Sequence, residues 1–179
     1  MTDTTDNATP INSVEELLAH ALVLENEASD RYEDMADNME SHNNPEVAAF
    51  FRQMAGYGRK HAAEVEELSK GRDIPHIAPW DLKWGSEDGA SPEAPANEDV
   101  HYLMTPFHAL SLAMSMEKNA RDFYAGVVDK ATNSETKKIA SEFAEEESEH
   151  VALLEDWIKK YPEPEEGWDY DPDPPNAIE

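Results

Sequence analysis

The sequence predicts an all-α fold: a four-helix bundle built as two antiparallel helical hairpins joined by a long crossover. Three observations carry this expectation. Apolar residues recur at helical spacing in four long segments. The stretch from 71 to 105 breaks every periodic pattern with Pro75, Pro79, Gly85, Gly89, Pro92 and Pro95. The first pair of helical segments also recurs, position for position, in the second pair.

Ser13, followed three residues later by Glu16, reads as a capping box that opens helix A, roughly 13 to 40. Its apolar stripe is Leu18, Ala21, Ala28, Tyr32, Met35 and Met39. Asn44 and Pro45 read as the N-cap and first residue of helix B, which carries Val47, Phe50, Met54, His61, Val65 and Leu68 and stops at Gly71. After the 71–105 crossover, whose Trp80 and Trp84 are expected to dock on the bundle, Thr105 and Pro106 start helix C with Leu110, Ala113, Ala120, Tyr124, Val127 and Ala131. Asn133 and Ser134 then open helix D, with Ile139, Phe143, Leu154 and Trp157. One domain is expected over 13–160, between a disordered N-terminus, 1–12, and an acidic, Pro-rich tail, 161–179, that is disordered or draped over the surface.

The repeat is the most informative feature. Shifting helix A by 92 residues turns stripe positions 18, 21, 25, 28, 32, 35 and 39 into 110, 113, 117, 120, 124, 127 and 131. Glu25 thereby pairs with Glu117, and Tyr32 with Tyr124. Helices B and D correspond with an offset of 89, which pairs His61 with His150, Met54 with Phe143, and Val65 with Leu154. Two like hairpins joined by one long connection form the connectivity of ferritin-like bundles rather than of simple up-and-down ones.

Composition narrows the function classes. Forty acidic against fourteen basic side chains give a formal charge of −26, which disfavours nucleic acids and anionic membrane surfaces as partners. No cysteine is present, so disulfides, thiolate zinc, iron–sulfur clusters, a cysteine nucleophile and a rubredoxin-type iron site are excluded. No run of about 18 apolar residues occurs and residues 1–12 lack a basic start, so a soluble cytoplasmic protein is expected.

The A stripe advances in steps of 3 and 4, which places Glu25 on the seam facing the other helices, and the repeat places Glu117 likewise. Glu147 and His150, at i and i+3, share the seam of helix D. Buried carboxylates are costly when unpaired, so three of them converging with two imidazoles call for a cation. Oxygen and imidazole donors together suit iron, manganese or zinc. His20, His42, His76, His101 and His108 lack ligand spacing and are expected at the surface or in loops.

This pattern resembles the rubrerythrin family of ferritin-like proteins, in which a first-helix Glu precedes an Ala and a Tyr and later helices carry Glu-x-x-His. The matching residues lie roughly in 13–70 and 106–160. The resemblance implies Glu25, His61, Glu117, Glu147 and His150 as metal ligands, and Tyr32 and Tyr124 as hydrogen-bond donors orienting opposing carboxylates. It also implies a bridged di-iron centre that reacts with hydrogen peroxide or dioxygen, an external electron donor, and a homodimer. The sequence departs from the pattern at one ligand: helix B reads Gly58-Arg59-Lys60-His61 where Glu-x-x-His is called for. Water or substrate could take that coordination position, Glu64 could swing in, the site could hold one metal, or none. Two further readings stay open: an iron-oxidising or storage protein, and a non-catalytic scaffold with a degenerate site.

Overall fold

The computed structural model describes residues 9–85, 90–93 and 101–172. Four long α-helices dominate: α1 (Val14–Ser41), α2 (Pro45–Ser69), α3 (Pro106–Lys130) and α4 (Ser134–Ile158). There is no strand among the described residues, and one short 3-10 turn, Pro79–Asp81, lies in the crossover. α1 packs chiefly on α2 and α3 on α4, so the two hairpins are the structural units. This is the ferritin-like, all-α architecture anticipated from the repeat.

Local chemistry sets the ends of these helices. Ser13 Oγ accepts a hydrogen bond from the backbone N–H of Glu16 at 3.1 Å, satisfying one orphan donor of α1. The reciprocal half of the expected capping box is not made, because the Glu16 carboxylate pairs with Lys83 Nζ of the crossover at 2.5 Å. Gly71 ends α2 with φ of +76°, a left-handed conformation that glycine adopts without a Cβ penalty. At α3 the capping role falls to Thr105 together with His108, whose ring Nδ1 lies 3.0 Å from the Thr105 backbone N–H. Asn133 Oδ1 accepts from the backbone N–H groups of Glu135 and Thr136 and caps α4.

All seven positions of the A stripe and all seven of the C stripe are buried. The stripe of α2 is rotated from the expected one. Ala48, Phe51, Ala55, Gly58 and Ala62 face inward beside Val47, Met54 and Val65, whereas Leu68 is exposed. The apolar interior falls into two clusters, one near Leu17, Leu24, Trp84, Phe123 and Phe143, the other near Met39, Phe51, Leu110 and Leu154. Each fully buried large side chain contributes about 1.5–3 kcal/mol of transfer free energy, so both clusters hold the bundle together. Between them α1, α3 and α4 each bury a glutamate: Glu25, Glu117 and Glu147.

The connections depart from expectation in three places, while the tail follows it. Order begins before residue 13: Ile11 is buried, and Asn12 Oδ1 accepts from the backbone N–H groups of Thr132 and Asn133 at 2.6 and 2.9 Å. Residues 1–8 and 173–179 lie outside the described residues. The tail from 161 to 172 is draped over the bundle, with Tyr161 and Trp168 packed against the second cluster and the Trp168 ring 3.7 Å from that of His108. Trp84 docks as expected, edge-on to His20 and Phe123, whereas Trp80 is 83% exposed. His20 is not a surface residue. It is fully buried, its Nδ1 lies 2.8 Å from the Glu16 carbonyl, and its Nε2 accepts from the Lys83 backbone N–H at 3.0 Å, so it fastens the crossover to α1.

Candidate metal centre

Glu25, His61, Glu117, Glu147 and His150, drawn from all four helices, line one small cavity at the middle of the bundle. It has space for about one water-sized particle. Helical spacing explains the convergence: each glutamate occupies a seam position one turn from alanines or other core residues, so its carboxylate can project only toward the opposing helices. Glu25, Glu117 and Glu147 are 5, 5 and 3% exposed. The two imidazoles sit nearer the rim between α2 and α4, their side chains 14 and 21% exposed, which leaves a path from solvent.

The contacts form a continuous network. His150 Nδ1 lies 3.1 Å from Glu117 Oε2 and 3.1 Å from Glu147 Oε2. His61 Nδ1 lies 3.4 Å from Glu25 Oε2, and the two imidazole rings stack almost in parallel, centroids 4.8 Å apart and planes 8° off. Tyr57 stacks on the outer side of His150 at 6.1 Å. Tyr32 donates its hydroxyl hydrogen to Glu117 Oε1 at 3.4 Å. Tyr124 does not form the corresponding bond to an opposing carboxylate; its ring packs instead between Phe123 and Phe143.

Sequence reasoning missed one residue. Glu93, in the crossover, is 3% exposed and lines the same cavity. Its carboxylate makes no hydrogen bond or ion pair with any described residue, and it faces Glu117 and Glu147 across the cavity. Irregular segments carry no periodicity from which such a position could be read; the only clue was a glutamate beside Pro92 in a stretch too proline-rich to be helical. Glu64, by contrast, does not swing in. Its side chain is about half exposed and its carboxylate pairs with Lys60 at 3.6 Å on the outer face of α2.

Gly58 has a packing reason. A Cβ at this position would lie 3.2 Å from the carbonyl oxygen of Glu25 and 3.3 Å from the N and Cβ of Ser29, tighter than ordinary contact. Helices α1 and α2 are therefore tightly packed at the point where the repeat, which aligns Gly58 with Glu147, would put a glutamate.

Electrostatics follow from burial. Desolvation raises the carboxyl of Glu25, and lifts those of Glu93 and Glu147 well above their usual range, with neighbouring carboxylates adding to the effect. Burial pushes Glu117 the same way, but its contacts with His150 and Glu147 outweigh this and hold it below the usual range. For His150, burial favours the neutral ring, yet the two carboxylates raise it to about 10. Tyr32 and Tyr124 are raised well above 10 by burial and by nearby glutamates, so both stay protonated.

Two groups of donors meet the distance requirement for a metal ion, each with its ligand atoms within 4.8 Å of one another: His61, Glu147 and His150, and Glu93, Glu117 and Glu147. Glu147 belongs to both. Four buried carboxylates carry four negative charges when ionised, which two divalent cations would balance, and the mixed oxygen and imidazole set suits iron or manganese. The residues present thus fit a carboxylate-held metal group.

Architecture and donor set together define the class, a ferritin-like bundle with side chains at its centre that could hold metal. The chain belongs to the rubrerythrin family, whose family model, Rubrerythrin, matches residues 16–86 and 108–176. It is also similar to the crystal structure of an uncharacterized conserved protein from Magnetospirillum magnetotacticum MS-1. The two are 38% identical with a TM-score of 0.67 over 86% of this chain and 98% of that one. No curated protein matches. No helix among the described residues is long and apolar enough to cross a membrane.

Proposed function

We propose that this chain holds two iron ions at the centre of the bundle and reduces hydrogen peroxide or dioxygen with electrons from an external donor. The observation that carries this reading is the pair of donor groups sharing Glu147, since a shared carboxylate is what a bridged dinuclear centre requires. Glu25, His61, Glu117, Glu147 and His150 would hold the group. Bound iron would supply Lewis acidity and relay electrons from the donor, the reduction to two waters taking two protons and two donor electrons for hydrogen peroxide and four of each for dioxygen.

The chain's own residues have separate tasks. The Tyr32 hydroxyl fixes the orientation of Glu117 by hydrogen bonding, so that this carboxylate presents its other oxygen toward His150. The two apolar clusters exclude bulk water on either side and strengthen each charge interaction at the centre. His61, His150 and Tyr57 line the partly open rim, through which a molecule as small as peroxide can enter.

The test is metal content and peroxide turnover. Protein loaded anaerobically with ferrous iron should retain about two ions per chain, and peroxide consumption should require both the iron and an added reductant. Glu147→Ala, which removes the shared carboxylate, should lose both ions and the turnover. Unchanged metal content and rate in this variant would overturn the reading. Progressive mineral formation with excess ferrous iron would shift it toward iron storage.

A further inference from the structure

Gly58 and Glu93 make a matched pair of departures from the repeat. Where α4 supplies Glu147 to the centre, the equivalent position of α2 is glycine, and an added Cβ there would lie 3.2–3.3 Å from the Glu25 carbonyl oxygen and the Ser29 N and Cβ, so α1 must give by a few tenths of an ångström before a side chain fits. The bundle is thereby one carboxylate short. Glu93 lies in the same cavity, reaches it from the crossover rather than from a helix, and is almost completely buried.

A buried carboxylate with no hydrogen-bonding partner is expensive, on the order of several kcal/mol, and proteins keep such a group only where something offsets it. Nothing among the described residues offers Glu93 a positive charge or a donor. What it faces is Glu117 and Glu147, two further carboxylates with oxygens within 4.8 Å. Three converging carboxylates repel one another unless they take up protons or a cation lies between them, and a cation satisfies all three at once. A role in packing alone is a poor explanation, because a glutamine or methionine of similar size would fill the space without the charge.

Resting on the metal-binding reading above, we propose that Glu93 is the fourth carboxylate ligand of the centre, supplied by the crossover in place of the helix carboxylate that Gly58 does not provide. It completes the donor group with Glu117 and Glu147, whereas His61, Glu147 and His150 can hold an ion without it. Metal loading at this group therefore ties the 90–93 segment to the bundle. The crossover becomes part of the metal centre, already anchored on one side by His20, Lys83 and Trp84.

The experiment is anaerobic titration with Co(II), which reports coordination through its visible absorption, on the full chain and on Glu93→Gln and Glu93→Ala. The unsubstituted protein should bind about two equivalents and each variant about one, with the absorption of one centre lost. Metal-free Glu93→Gln should also melt no lower than metal-free unsubstituted protein, because the amide keeps the shape and replaces a carboxyl group that has no partner among the described residues. Amide exchange at Ser91 and Glu93 should slow on Co(II) addition in the unsubstituted protein and stay unchanged in Glu93→Ala. Two equivalents with unaltered midpoints and spectra in both variants would overturn the role of Glu93 and leave the metal-binding reading standing. Failure of the unsubstituted protein to bind Co(II) at all would overturn both. A lower melting point for metal-free Glu93→Gln would show that the carboxylate serves the fold, and would also count against the proposal.

Discussion

Replacing Gly58 by alanine separates a packing role from a mere missing ligand. In an ordinary helix interior glycine costs about 1 kcal/mol relative to alanine, so the substitution should stabilise by that amount. At position 58 the new methyl would meet the Glu25 carbonyl oxygen at 3.2 Å and the Ser29 N and Cβ at 3.3 Å. None of these is the far end of a flexible side chain, so relief requires α1 and α2 to move apart by a few tenths of an ångström. Overpacking of this kind costs about 1–3 kcal/mol, and the net change runs from near zero to about 2 kcal/mol of destabilisation. Gly56 and Gly126 are internal controls: each lies within a helix and has nothing within 4 Å of an added Cβ. Gly56→Ala and Gly126→Ala should therefore each stabilise by about 1 kcal/mol, separating them from Gly58→Ala by about 1–3 kcal/mol. For a chain of this size each kcal/mol moves the melting temperature by about 2–4 °C. Urea unfolding of the metal-free variants, read at the midpoint with the slope held constant, resolves such a difference. Stabilisation of Gly58→Ala equal to that of Gly56→Ala would refute the claim that helix contact disfavours a side chain there.

Further predictions concern the crossover and its anchors. Burial lowers the pKa of His20 below its ordinary value near 6.5, so the folded chain binds this proton less readily than the unfolded one. Its stabilising contribution is thus present above about pH 6.5 and lost as pH falls from there toward the lowered folded value; in His20→Gln the difference between urea midpoints above and below that window should shrink. Trp84→Ala, which empties a buried position against His20 and Phe123, should cost about 3–5 kcal/mol, whereas Trp80→Ala, at an 83% exposed position, should stay within about 0.5 kcal/mol; melting curves of the two variants test this contrast. Asn12→Ala removes the acceptor for the Thr132 and Asn133 backbone N–H groups and should destabilise by about 1–2 kcal/mol in denaturant titration. No change in that variant would show that water replaces the Asn12 carboxamide without loss.

Much of this molecule is legible in local periodicity. The stripes of helices A and C are all buried where their spacing put them, because a 3.6-residue repeat leaves one face for the core and the repeat of 92 residues verifies each position against another. The same logic puts Glu25, Glu117, Glu147, His61 and His150 on faces that meet at the centre, where they line one cavity. Helix B is less legible: its small inward residues, Ala48, Ala55, Gly58 and Ala62, carry little hydrophobic signal, so the larger Phe50 and Leu68 read as the inner face. His20 misled for a related reason. Its burial comes from the crossover laid over α1, a contact between residues more than sixty apart in sequence.

Spacing along a helix determines which face a side chain occupies, and that is a property of the chain alone. Which residues of an irregular segment reach the interior depends on where the segment's ends are held and what surface it crosses, and neither is encoded at short range. The four helices, their pairing and five of the converging side chains follow from the first kind of information. That Gly58 sits tight against α1, that Tyr124 turns to aromatic neighbours while Tyr32 meets Glu117, and that Glu93 enters the centre from the crossover were decided only when the hairpins packed, because each depends on distances between elements far apart in sequence.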